Sequence, residues 1–297
     1  MASALLWALA SQGQILNVTS IQPLNIPANG DAVMQAVAIS PQGDYMLLST
    51  DTKRGLVKWD LTTSTATTLT DAEGCGSDVR ISDDGSQVVY DEASFKNKRR
   101  HHSIKAIDMT TGKKKTLVKT TRNLQGFDIQ GNNVMTSTDG TMRRHSLVKN
   151  AALPQRATLT HHHLKLYVTR NGVTSLLAPN GDNERYIWSS LSPDGERVLY
   201  YASGHGAFVC DLDGSHLISL GDITYPKWWD DNTVIGTVEE DNEYSIITST
   251  IVACTLDGHM QTLTGPDIIA TSPLPCAQSG KIAFSTPDGQ IYLMLVE

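Results

Sequence analysis

The chain has 297 residues, 40% hydrophobic and 19% charged, a composition that suits a folded protein able to bury its own core without metal or disulfide staples. A formal net charge of -7 argues against a surface built for wholesale nucleic-acid binding. No apolar run approaches the ~20 residues that a membrane-spanning helix requires.

The chain opens with "MASALLWALASQGQ", where a short apolar run ends in Ala8-Leu9-Ala10, an A-x-A pattern like a signal-peptidase site. A basic n-region and a full-length apolar stretch are missing. Residues 1–13 therefore read either as the trailing half of an export signal or as an ordinary apolar segment. The export reading, with a periplasmic or secreted location, is the one adopted. Residues 14–297 read as a single domain.

From residue 33 onward the chain repeats itself. The apolar stretches "YMLLS" (45–49), "QVVYD" (87–91), "NVMTS" (133–137), "RVLYY" (197–201), "TVIGT" (233–237) and "KIAFS" (281–285) start 42, 46, 64, 36 and 48 residues apart. A period of ~35–50 residues built from short strands marks a propeller. Several of these stretches follow a turn phrase, "SPQGD", "SDDGS" or "SPDGE", with Pro or Asp where a turn begins and Gly where φ must be positive. A second hairpin follows most of them, as in "VKWDLTTSTATTLT" and "FVCDLDGSHLISLG". Each repeat thus holds four antiparallel strands, a to d, and the fold class is all-β.

Six second strands give a six-bladed β-propeller. The repeat containing "STDGTMRRHSLVKNAALPQRATLTHHHLKLYVTRNGVTSLLAP" is about 20 residues longer than its neighbours, so it holds either an inserted hairpin or a seventh blade. Six is the reading adopted. The chain ends at "GQIYLMLVE", strand c of the last blade, and "QILNVTSIQPLNI" near the start supplies spare strand material. Residues 14–26 are predicted to complete the last blade and close the ring, which removes an open sheet edge.

The Ser192–Pro193–Asp194–Gly195 phrase, with Ser40–Pro41–Gln42–Gly43 and Ser82–Asp83–Asp84–Gly85, resembles the WD-like repeats of TolB-type propellers. The resemblance covers residues 33 to 297, implies a propeller, and suggests a periplasmic or secreted scaffold that binds a protein or cell-envelope partner. The chain departs from that family's namesake in having no room for an additional N-terminal α/β domain.

In such propellers the b–c and d–a loops share one face, and the Ser-Pro-Asp-Gly turns lie on the other as structural punctuation. Loops held on a rigid ring are where binding residues concentrate. Candidate partner-binding residues on that face are Lys53 and Arg54 in "TDTKRG", Lys96, Lys98, Arg99, Arg100, His101 and His102 in "DEASFKNKRRHHS", Glu184 and Arg185 in "NGDNERY", and His205 in "ASGHG". The run Lys96 to His102 is the sharpest of these, since Arg and Lys recognise carboxylates and phosphates.

Strand a lines the central channel. Aligning the repeats brings Ala38, Arg80, Asp128, Ser190, Lys227 and Leu274 to one position, flanked mostly by apolar residues. Arg80, Asp128, Lys227 and Trp229 are the candidate channel residues, with Arg80 and Asp128 placed to pair between neighbouring blades and Trp228 to pack between blades.

Chemical motifs are sparse. There is no G-x-S-x-G, H-E-x-x-H, P-loop or dinucleotide glycine pattern. Glu239, Glu240 and Asp241 are neighbours in one acidic loop rather than a pair acting across a substrate. "THHHL" lacks a third metal ligand at strand spacing, and the four cysteines have no zinc-like spacing, although Cys75 and Cys276 could form a disulfide. No metal, cofactor or catalytic residue is expected, and the chain is expected to be monomeric and not to bind nucleic acid. The alternative reading is a propeller that binds or cleaves an acidic glycan at the channel mouth.

Overall fold

The computed structural model describes residues 14–27, 32–154, 156–242 and 244–297. The proposed export remnant, residues 1–13, lies outside the described residues. The described chain forms seven small antiparallel sheets arranged as the blades of one closed ring. Blade 1 comprises Met34–Ile39, Tyr45–Thr50, Leu56–Asp60 and Thr65–Thr70; blade 2 comprises Val79–Ile81, Gln87–Lys96, Arg99–Asp108 and Lys114–Thr121. Blade 3 has only Leu124–Gln130, Asn133–Thr138 and Thr141–Ser146, and blade 4 only Thr158–His162, Lys165–Arg170 and Val173–Leu177. Blade 5 comprises Tyr186–Leu191, Arg197–Ala202, Gly206–Asp211 and Ile218–Gly221; blade 6 comprises Thr224–Trp228, Thr233–Asp241, Ile246–Thr255 and Met260–Thr262. Blade 7 is made of Thr271–Cys276, Lys281–Ser285 and Ile291–Val296, with Val18–Pro23 as its fourth strand.

The ring therefore has seven blades rather than six. The long third repeat is two three-stranded blades, 3 and 4, each lacking an outer strand, so that two blades fit where the sequence spacing suggested one with an insertion. The predicted closure is realised: Val18–Pro23 pairs antiparallel with Ile291–Val296, and Asn17 and Glu297 exchange backbone hydrogen bonds of 3.1 and 2.9 Å. The only helix among the described residues is a 3-10 turn at Ala277–Ser279, and no helix is long and apolar enough to cross a membrane.

The strand pattern explains the packing. Side chains alternate between the two faces of a strand, and in a propeller both faces meet a neighbouring blade. Leu47 accordingly joins the core between blades 1 and 2, while Met46 and Leu48 join the core between blades 7 and 1. Likewise Val198 and Tyr200 face blade 4, and Leu199 faces blade 6. This is why the second strands read as continuous apolar runs. Six buried apolar clusters fill the interfaces between neighbouring blades, but none of the six spans blades 3 and 4. Among the described residues that seam is held by polar contacts: Gln130 Nε2 donates to Ala157 O (2.7 Å) and Thr158 Oγ1 (3.1 Å), and Asn133 Nδ2 donates to Ala152 O (2.7 Å).

The repeated turn phrases do structural work. Ser82 Oγ and the Ser86 N–H donate to Asp84 Oδ1 (2.6 and 3.0 Å), and Ser192 Oγ and the Glu196 N–H donate to Asp194 Oδ1 (2.5 and 3.0 Å). Gly43, Gly85 and Gly195 close these turns with φ of 64°, 71° and 82°, a region that costs side-chain-bearing residues energy. All four cysteines are free and buried, so the considered Cys75–Cys276 bridge is not formed. Cys75 lies in the core between blades 1 and 2, and Cys276 Sγ donates to the carbonyls of Ser40 and Pro41.

Candidate functional site

Two features stand out on the b–c/d–a side of the ring: long hairpins and the channel. The stretch 91–103, read from sequence as a loop, is mostly strand. In blade 2 both central strands run for ten residues, and the register continues without a break from Gln87↔Asp108 to Lys96↔Arg99. Strand b of blade 1 has six residues, so at about 3.3 Å per residue the blade 2 hairpin projects roughly 13 Å further. It turns on Asn97 and Lys98, both at positive φ (52° and 61°), the two-residue turn whose twist matches that of the strands. Lys96, Lys98, Arg99 and Arg100 are exposed at its tip beside Phe95, which is 67% exposed. Blade 6 carries the other long hairpin, with strands of nine and ten residues. Its tip is acidic, with Glu239 and Glu240, and shows Tyr244, 93% exposed, and Ile247.

The remaining partner-binding candidates are spread around the face and largely engaged. Lys53 donates to Gln35 Oε1 (2.7 Å), and burial lowers its ammonium pKa. Arg54 pairs with Glu73 at 2.5 Å, and Glu184 pairs with His205 at 3.2 Å, while Arg185 is exposed. His101 Nδ1 lies 3.0 Å from Arg99 O. His102 sits lower on the hairpin, against Asp91.

The channel candidates do converge, with one exception. Arg80, Asp128 and Lys227 line one cavity of about 350 Å³ among the inner strands of blades 2 to 6. Backbone bulges aim some of these positions. In blades 5, 6 and 7 a residue at positive φ, Trp188, Tyr225 or Ser272, sits two places before Ser190, Lys227 or Leu274, and the register shifts there. Such bulges re-aim side chains. Trp229 is the exception: it packs against the core between blades 6 and 7 and is not part of the cavity wall. Trp228 packs between blades 5 and 6, its Nε1 donating to Ser190 O at 3.3 Å.

The expected Arg80–Asp128 pair is not formed. Arg80 instead pairs with Asp78 at 2.7 Å, and its guanidinium lies 5.9 Å from the centroid of the Phe127 ring. Asp128 accepts from the Ile129 N–H (2.9 Å) and weakly from Gln130 Nε2 (3.4 Å). Burial pushes the Asp128 carboxyl up despite the nearby Arg80. Burial likewise pushes the Lys227 ammonium down to about 8, Arg80 adding to the effect and Asp78 opposing it.

Sequence reasoning missed several further lining residues, among them Asp78, Gln130, Arg156 and His161. His161 is blade 4's contribution; its strand partner Leu166 faces blade 5, the same sense as Val89 opposite Arg80. Its Nε2 lies 3.1 Å from Ser189 Oγ, and burial lowers its imidazole pKa. Recognising blade 4 would have put His161 in the alignment, whereas Asp78, Gln130 and Arg156 lie off the aligned position. His162 lies beside Gln125 (3.0 Å), its ring centroid 4.0 Å from that of His163, which begins the next turn. Among the described residues no group of three or more His, Cys, Asp or Glu is placed to hold a metal.

Comparison with known structures agrees with this geometry. The chain is similar to U3-55K (8% identity, TM-score 0.68, covering 93% of this chain and 98% of that one) and to the WD40 repeats of RRP9 (8%, 0.68, 95% and 99%). It is also similar to the Cps50 (Swd1) β-propeller domain of Myceliophteria thermophila (11%, 0.59, 95% and 100%). The fold is a WD40-like β-propeller. At these identities the likeness shows the fold alone. No protein-family model matches the chain, and no curated protein matches it in sequence.

Proposed function

We propose that this protein is a non-catalytic scaffold that binds an acidic partner protein through its b–c/d–a face, with the blade 2 hairpin as the main contact. The observation that carries this reading is the hairpin tip. An exposed Phe95 stands among Lys96, Lys98, Arg99 and Arg100, none of which forms an ion pair among the described residues. An exposed aromatic ringed by cations suits recognition more than stability, since aromatic and Arg side chains supply most interface hot spots. Residues 96–149, which span most of blades 2 and 3, hold 13 of the chain's 24 Lys and Arg but only 3 of its 31 Asp and Glu. A basic sector on an acidic protein attracts and orients an acidic partner.

Capture from a cell-envelope lysate tests the reading. The wild type is compared with a Lys98→Glu/Arg99→Glu/Arg100→Glu variant and with a Lys113→Glu/Lys114→Glu variant, altered on the opposite face. Loss of one acidic protein in the first variant only is the expected result; equal capture by all three removes the hairpin from the site. The cell-envelope setting is part of the proposal. It is supported by the Ala8-Leu9-Ala10 pattern and by the TolB-type resemblance at Ser192–Pro193–Asp194–Gly195, and fractionation of the native producer cells tests it.

A further inference from the structure

We propose that the channel cavity binds a small polyhydroxylated anion, of the size of one sugar-acid or sugar-phosphate unit. This site is separate from the hairpin and goes beyond the partner-binding reading.

The cavity wall has an excess of positive charge and a shortage of partners. Three cations, Arg80, Arg156 and Lys227, face two carboxyls, Asp78 and Asp128. Asp78 is taken by Arg80, and Arg156 Nη2 donates to Ser192 O at 2.5 Å. Lys227 is left with no hydrogen bond or ion pair among the described residues. A desolvated ammonium without a paired counter-charge is costly, and Asp78, which favours its charge, is already paired with Arg80. Asp128 does not supply that counter-charge: its carboxyl accepts from the Ile129 N–H and Gln130 Nε2 and forms no ion pair with Lys227 among the described residues. An anion placed against Lys227, with Arg80 on the same wall, would supply the missing partner.

The opposite need lies beside it. Gln130 is 9% exposed, and its Nε2 is committed to Ala157 and Thr158, which leaves Oε1 buried without a partner. Ser190 Oγ, also on the cavity wall, is buried and unpartnered. An unmet buried acceptor costs about 1–3 kcal/mol, and a ligand hydroxyl can donate to it. An anion alone meets only the first need and a neutral sugar only the second. A cavity of about 350 Å³ is at the small end for ligand sites, which suits one such unit rather than a polymer. Two residues before Ser190 and Lys227 on the same inner strands, the Trp188 and Tyr225 rings lie 4.4 Å apart and tilted by 32°.

Thermal-shift and calorimetric titration of the full chain at neutral pH test this with five probes: D-glucuronate, glucose 6-phosphate, D-glucose, acetate and inorganic phosphate. Glucuronate or glucose 6-phosphate is expected to raise Tm and to give a measurable Kd, and which of them does so tells carboxylate from phosphate. Glucose, acetate and inorganic phosphate are expected to do neither. Lys227→Met is expected to weaken the binding by more than about tenfold while folding with a Tm at or above that of the wild type, because it removes a buried charge. If that variant fails to fold, Lys227→Gln and Ser190→Ala decide by the same titration. No response to either hydroxylated anion overturns the proposal, as does an equal response to glucose, or to acetate and inorganic phosphate. Unchanged affinity in a folded Lys227 variant also overturns it.

Discussion

His102 Nδ1 lies 2.6 Å from Asp91 Oδ2 at the root of the blade 2 hairpin, while Asp91 Oδ1 is buried with no partner. Burial raises the Asp91 pKa above the ordinary carboxylate value near 3.8, even though His102 and then Arg100 pull it down. The folded state therefore holds this proton more tightly than the unfolded chain. Stability from Asp91 falls as pH rises from the unfolded carboxylate pKa through the raised folded one.

Asp91→Asn removes that dependence. The Tm of the variant minus that of the wild type is expected to become more positive between pH 4 and pH 7, followed by thermal unfolding monitored by circular dichroism. A difference that stays flat or falls over that range would show that the pair with His102 outweighs the cost of burying the carboxylate.

The hairpin turn separates structure from charge. Lys98 sits at φ 61° with a side chain that this conformation disfavours. Lys98→Gly makes the turn Asn-Gly, the preferred pair for this geometry, and is expected to stabilise the hairpin by about 0.5–1 kcal/mol. Amide hydrogen exchange at Lys96 and Arg99, the pair that closes the turn, should slow. Faster exchange there would mean that the Lys98 side chain itself holds the tip.

Blades 3 and 4 should be the first part of the ring to open. They lack outer strands, and no buried apolar cluster joins them. Local openings follow sparse apolar packing. Native-state exchange is expected to be fastest within 124–177 and slowest in strand b of blades 5 and 6, where Leu199 and Val234 share one cluster. Uniform protection around the ring would show that the polar contacts of Gln130 and Asn133 hold the seam as well as packing holds the others.

Much of this architecture was legible in the residues. The Ser-Pro-Asp-Gly turns and doubly buried second strands specify blades, and spare strand material at both ends implies a shared blade. Blade 4 stood only as the alternative to an inserted hairpin because its a–b turn is His163–Leu164, both at positive φ (50° and 62°) without a glycine. Turn chemistry could not mark it out, and "KLYVT" has Lys165 where the other second strands have Val, Ile or Met. The hairpin was hidden in a similar way, since Asn97 among four cations, Lys96, Lys98, Arg99 and Arg100, reads as a solvated loop. Arg80, Asp128 and Lys227 could be aligned because a repeat fixes position. Which carboxylate Arg80 takes depends on side-chain reach, and a repeat carries no information about that.

The shared last blade also sets an order of events during synthesis. Val18–Pro23 leaves the ribosome early, yet its only strand partner, Ile291–Val296, is about 270 residues downstream. At ~5–20 residues per second the early strand waits for tens of seconds. Throughout that interval blades 1 to 6 can form while the first strand has nothing to pair with, and the ring becomes a ring only when residues 291–296 arrive. Contacts this distant in sequence are slow to find. Closing the ring thus zips together two strands about 270 residues apart, and a nascent chain stalled before residue 291 displays the first of them unpaired.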